Sequence, residues 1–304
     1  MAFKYPRLFC FFIVAAYVPQ YIAIVRHGTH GIASRYILFH SLFSVFTLAL
    51  RVCHPMFYNA FNCVNGGPYT GWKALSSLLG ILQAIVQWLA AMVQLGLYVH
   101  YRSDEAGAGP EAAAAAAAET EAIAGGVPAT SSRAMQIAVG VTAAVVLSVS
   151  FAFIFFNEYP LFDQDEWMSG SYWFPVYVLA LGFWRLLLLL PNTVFLFLPA
   201  VYQIKIVRAP GGDHGALSLV SLAMQAVVFV VLGILQAARS WRSVMWFNRD
   251  DFWPPTRFLE CFLTFYGTVQ THVSYAVTGV GFLVVLVVCL LEERRRNAEG
   301  RIQV

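Results

Sequence analysis

Gln83, Gln87 and Gln94 stand four and seven residues apart in an otherwise apolar run. At helical spacing they share one face with Ala90 and Tyr98. Amides turned toward lipid are costly, so the stripe is expected to look inward. There it either lines a cavity for a polar solute or hydrogen-bonds a neighbouring helix. A second polar group, Thr271, His272, Ser274, Tyr275 and Thr278, opens the last apolar run, and His40 with Ser41 interrupts an early one. An intramembrane histidine can pack as a hydrogen-bonder or carry a proton, and packing is the commoner role. No Asp or Glu falls inside any predicted span, which speaks against proton coupling through carboxylates.

Pro19-Gln20 lies in the first apolar run, followed by the polar turn His27-Gly28-Thr29-His30-Gly31-Ile32-Ala33-Ser34. A proline there removes one backbone donor and leaves a carbonyl without its helical partner. Gly31 suits a tight turn, and Ser34 reads as the N-cap of the next helix. A second copy follows. Ile24-Val25-Arg26 returns as Ile206-Val207-Arg208, an offset of 182 (206 − 24). His30-Gly31 to Ser34 returns as His214-Gly215 to Ser218, an offset of 184 (214 − 30). Pro199 and Gln203 stand roughly where Pro19 and Gln20 stood, so the strict pair is degenerate in the second copy. Pro19 and Pro199 are the candidate bending points.

These residues carry a resemblance. Pro19-Gln20 with Gly31 and Ser34, and in part Gln203 with Gly215 and Ser218, resemble the PQ-loop repeat family of seven-helix membrane proteins. That family includes cystinosin-like and cationic amino-acid exporters and is related to the SWEET sugar carriers; the low-complexity middle is similar to fungal members. The resemblance implies a carrier in a vacuolar or endolysosomal membrane, with two like-oriented repeats.

Composition agrees with a membrane chain. Hydrophobic residues make up 59% and charged residues 12%, and mean hydropathy is +0.66; soluble domains carry about 25% charge. A net charge of +3 without a basic stripe argues against nucleic acid as a partner. No Ser/His/Asp arrangement, phosphate-binding glycine loop or Cys/His metal spacing rises above chance, so no enzyme, cofactor or metal site is expected. Glu158, Asp163, Asp165 and Glu166 read as a solvated acidic loop. Cys53 and Cys63 could pair if their loop faces an oxidising lumen, and both states stay open. The first apolar run could be misread as a signal peptide, but its Pro-Gln motif argues that it is retained.

The elements that must position these residues follow from apolar runs long enough to span a bilayer. The expected fold is all-α and polytopic, with helices at 7–25, 36–52, 72–100, 135–156, 173–207, 216–237 and 268–291. Residues 1–100 form a first three-helix repeat, and 101–134 a low-complexity linker. Residues 135–172 hold a linker helix and the acidic loop, 173–291 the second repeat, and 292–304 a charged tail. The run 173–207 is too long for one upright span; the repeat favours one kinked helix with an interfacial lead-in, in which Arg185 snorkels, over two short segments. The arginines at 294–296 and 301 place the C-terminus inside, on the side of the linker. Arg239, Arg242, Arg249 and Arg257 count against that orientation, and the repeat decides for it. The function expected is alternating-access transport of a small polar solute, an amino acid or a sugar, with Gln20, Gln83, Gln87, Gln203 and His272 lining the site. The alternative is a receptor or assembly factor that kept the fold.

Overall fold

Leu, Ile, Val, Phe and Ala in long runs, with few charges between them, leave the backbone one way to satisfy its polar groups in an apolar medium, the α-helix. The computed structural model describes residues 6–29, 32–53, 72–107, 132–158, 173–208, 217–244 and 255–302. Among them the chain is all-helical, with seven helices and no strand: α1 (Pro6–His27), α2 (Ser34–Val52), α3 (Trp72–Gly107), α4 (Ser132–Glu158), α5 (Trp173–Arg208), α6 (Leu219–Val244) and α7 (Pro255–Ile302). Six of these are long and apolar enough to cross a bilayer, and α6 adds the shorter apolar run Leu219–Leu235. The protein is a multi-pass membrane protein.

The run 173–207 is a single helix. α5 keeps Pro191 and Pro199 in its interior over 36 residues, a length of about 54 Å at 1.5 Å per residue. α7 begins earlier than its apolar run and continues through the charged residues at 292–302. Glu, Arg and Ala are good helix formers. An exposed Arg295–Glu299 pair at 2.9 Å adds the i, i+4 contact that such a segment favours.

α3 packs against both α1 and α2, and α7 against both α5 and α6. Between these groups α1 meets α6 and α2 meets α5, while α4 rests on α2 and α3. The Trp184 indole also donates to Ser150 Oγ at 3.1 Å, joining α5 to α4. α2 is the central element: 72% of its span is buried, against 17% for α4. The main core joins Tyr17 and Ile24 of α1, Ile37 of α2, Tyr98 of α3, Phe229 of α6 and Phe282 of α7. Outward-facing Val141, Phe183, Leu190 and Val227 are exposed apolar side chains, as a lipid-facing surface requires.

α6 and α7 approach each other most closely. A Cβ on Gly279 would stand 2.8 Å from the Val230 nitrogen and 2.9 Å from the Ala226 carbonyl oxygen. One on Gly233 would stand 2.9 Å from the Ala276 nitrogen. Only glycine lets the two backbones meet there.

The two turns differ in their capping. After α1 the chain turns at Gly28, with φ of 69°, a conformation that suits glycine. Ser34 is the first residue of α2; the cap position falls on Ala33, which makes no side-chain cap bond. Ser218 is a true N-cap for α6: its Oγ accepts the Ser221 N–H at 3.2 Å. The expectation that Ser34 caps α2 is therefore corrected, and it is Ser218 that caps its helix. Gly31 and Gly215 lie outside the described residues.

Candidate functional site

Gln20 and Gln203 are buried, and each reaches across to the opposite group of helices. Gln20 Oε1 on α1 accepts the Ser218 N–H at the start of α6 at 2.9 Å. Gln203 Oε1 on α5 accepts the Ala33 N–H at the start of α2 at 3.1 Å. Each amide oxygen thus serves one of the N–H groups that a helix start leaves without an intrahelical partner. Relative to the 184-residue offset between Ser34 and Ser218, the two acceptors differ by one residue in register.

The turn of α1 before Pro19 is held by α6 in the same way. The Ala16 carbonyl, three residues before Pro19, accepts the Ser221 hydroxyl at 2.6 Å. Gln225 Nε2 stands 3.5 Å from the same carbonyl and donates to Ser221 Oγ at 3.0 Å. The carbonyl that Pro19 leaves without its helical donor is that of Ala15, four residues back; α6 bonds its neighbour, the Ala16 carbonyl.

Around Pro199 the neighbours leave space instead. A small, partly open crevice with a cavity volume of about 20 Å³ lies between α2, α5 and α7. Its walls include Tyr36 and His40 of α2, Phe195 and Pro199 of α5, and Thr278 and Phe282 of α7. Pro199 has no N–H to offer the carbonyl of Phe195, four residues back, and both residues face this space. His40 is fixed on three sides. Its Nε2 hydrogen-bonds the Tyr17 hydroxyl at 2.8 Å, and its ring stacks on Tyr36 at 5.9 Å. The edge of Phe282 closes the third side at 5.8 Å. The Thr278 hydroxyl donates to the Ser274 carbonyl at 2.7 Å, leaving its oxygen to accept. Aromatic faces, one imidazole and one hydroxyl line a space that in this conformation has room for about one water.

The glutamine stripe is inward, as its spacing requires. Gln83, Gln87 and Gln94 are all buried. Neither amide atom of Gln87 has a hydrogen-bond partner in the protein, and buried polar groups ordinarily have one. The stripe does not border the α2–α5–α7 crevice, and neither do Gln20 and Gln203. His272 belongs to α7, but its side chain lies outside the described residues. Of the bending points, Pro199 borders the crevice and Pro19 does not.

Several residues escaped sequence reasoning. Thr47 donates to Asn192 Oδ1 at 3.1 Å, a buried bond that pins α2 to α5 beside Pro191. The visible signal was Asn192, an amide in a leucine run. Arg185 turns inward to the end of α2. Its Nε donates to the Cys53 carbonyl at 2.9 Å, and Nη2 makes a second contact to the same oxygen. A cation at a helix C-terminus is favoured by the unpaired carbonyls there. Snorkelling is therefore corrected to capping. Cys53 is a buried free thiol, and Cys63 lies outside the described residues. Arg51, at the end of α2, lies with its guanidinium carbon 5.7 Å from the Tyr275 ring centre. Among the described residues no group of three His, Cys, Asp or Glu side chains is placed to hold a metal ion.

Compared with protein-family models, curated proteins and solved structures, the chain matches none.

Proposed function

We propose that this chain is a membrane carrier for a small polar solute, working by alternating access. In this reading α1–α3 and α5–α7 are two like-oriented repeats, with α4 the odd helix that such an arrangement needs between them. The observation that carries the reading is the reciprocal exchange between Gln20 and Gln203. Each motif glutamine accepts a backbone N–H from the helix start after the other motif. The packing repeats the same exchange, with α1 against α6 and α5 against α2. Two halves tied at their turns, with a crevice at one seam, can rock about that seam. The PQ-loop resemblance agrees with this arrangement and adds the vacuolar or endolysosomal membrane as its place. The solute would be an amino acid or a sugar, the lipid bilayer the one other partner, and no catalytic step is assigned.

Uptake into proteoliposomes against a panel of amino acids and sugars tests the carrier reading. Saturable uptake by the intact protein, absent from empty liposomes, supports it; no uptake of any member overturns it for these solutes. Tags in the 101–134 linker and after the C-terminal arginines should be protected together from protease. Protection of only one would break the repeat arrangement. A second reading, a receptor or assembly factor on the same scaffold, is favoured by one observation: the oxygens of Gln20 and Gln203 hold the two halves together rather than facing the crevice.

A further inference from the structure

The last turn of α2 carries a cation with no countercharge among the described residues. Arg51 Nε and Nη2 are buried, and neither has a hydrogen-bond partner among the described residues. No carboxylate among the described residues pairs with the guanidinium; its near neighbour is Tyr275 of α7. The Tyr275 hydroxyl is likewise buried without a partner. A buried charge with open donors is costly and is ordinarily found paired.

The two open nitrogens are chemically specific. Nε–H and one N–H of Nη2 lie on the same edge of the planar guanidinium and point in parallel, the geometry that grips both oxygens of a carboxylate. The Tyr275 hydroxyl, carried by the ring that neighbours the guanidinium, can add a third donor. The position shares two helices with the crevice, though neither Arg51 nor Tyr275 lines it. His40 and Arg51 are eleven residues apart on α2, three turns and about 16 Å along one face. Tyr275 and Thr278 are one turn apart on α7. α2 and α7 meet at both levels, His40 against Phe282 and Arg51 against Tyr275. Arg51 thus stands at one end of the helix faces that wall the crevice at the other.

We propose that Arg51 and Tyr275 form an oxyanion site, and that its occupant is the carboxylate of a small solute. The proposal rests on the carrier reading for the solute's onward path, but not for binding itself. The structure assigns the bidentate grip to the Arg51 edge and a single hydrogen bond to the Tyr275 hydroxyl.

The test uses the full chain in nanodiscs of neutral lipid, with alanine and succinate as probes and alaninamide and succinamide as their carboxylate-free counterparts. Both acids should raise the melting temperature, and neither amide should. Arg51→Lys keeps the charge but loses the parallel edge, and should weaken binding roughly 10- to 100-fold. Tyr275→Phe should weaken it roughly tenfold. Unliganded melting of Arg51→Lys and Tyr275→Phe checks folding. Binding of acids with the expected losses, but no uptake into proteoliposomes, leaves the site standing and removes the carrier reading. Uptake of amides or neutral sugars, unchanged in Arg51→Lys, leaves the carrier and overturns the site. Stabilisation through Arg51 only when anionic lipid is added would assign the site to a headgroup phosphate and overturn the solute proposal. Equal loss of stability in Arg51→Gln and in a variant with Asp163, Asp165 and Glu166 neutralised, with no response to acids, would reveal an internal ion pair and overturn it as well.

Discussion

The α1–α6 seam and the α2–α5 seam use similar parts and end differently. In the first, the turn of α1 before Pro19 is tied to the opposite helix: Ser221 and Gln225 serve the Ala16 carbonyl. α6 is held from behind by α7, where Gly279 and Gly233 allow close backbone contact. In the second, Pro199 faces a crevice. The seam is joined instead by Thr47 to Asn192 and by Phe39, whose ring stacks on Phe195 at 5.6 Å and on Tyr202 at 5.5 Å. The sequence offset explains the difference. Taking 184 from Ser221 and Gln225 gives Ile37 (221 − 184) and Ser41 (225 − 184). Ile37 has no hydroxyl to donate, and the buried Ser41 Oγ has no partner. A proline in a membrane helix becomes a fixed kink or a yielding point according to what the opposite helix supplies.

Two glycines on α7 break the comparison most sharply. Gly279→Ala should lower stability by about 1–3 kcal/mol, because the new methyl meets α6 backbone as well as the β-branched Val230 side chain. Gly281 is two residues on and borders the crevice, where an added Cβ would meet only Ala200 Cβ at 3.6 Å, an ordinary contact. Gly281→Ala should keep or raise stability, by up to about 1 kcal/mol, while slowing uptake by filling the crevice. Melting and proteoliposome uptake, measured side by side, check both; equal melting of the two variants would remove the distinction between a tight and a loose face of α7.

The reciprocal glutamines should behave alike. Gln20→Leu and Gln203→Leu each leave a helix-start N–H without its acceptor, and each should cost about 1–2 kcal/mol, read by chemical or thermal unfolding. A loss confined to one of them would show that the exchange is not shared by the two halves.

The prolines should separate in a smaller but more informative way. Pro19→Ala should lower the melting point, by the equivalent of about 1 kcal/mol, because α6 is bonded to the turn of α1 just before Pro19. It should leave turnover per folded molecule unchanged. Pro199→Ala should melt near the native temperature and turn over more slowly. If Pro19→Ala slows transport with no change in melting, the first seam is the moving one and the comparison is reversed. The smallest effect is expected for Thr47→Val, which removes one interhelical hydrogen bond worth about 0.6 kcal/mol. Its use is to show how weakly the second seam is held; a loss several times larger would make that seam as rigid as the first.

The sequence by itself determined the helices and their medium. Apolar runs of spanning length have one way to satisfy their backbone, so the all-α, multi-pass character followed from composition and run length alone. The inward turn of Gln83, Gln87 and Gln94 followed from their spacing, because a stripe on one face is either all toward lipid or all away from it. Tertiary structure decided what each polar group meets. An amide oxygen accepts from any N–H, so nothing local to Gln20 names Ser218, which is 198 residues away. Ser34 and Ser218 stand at matching places in the two copies, yet one caps and the other does not, because backbone conformation at the turn sets the reach of the hydroxyl. Arg185 looked like a snorkelling cation until α2 placed its carbonyl end beside it. Arg51 looked like the ordinary end of a span, and only the packing of α7 against it left its guanidinium edge buried and open. Hydrophobic periodicity is a property of one segment, whereas a hydrogen-bond partner or an unfilled crevice is a property of two or three segments at once.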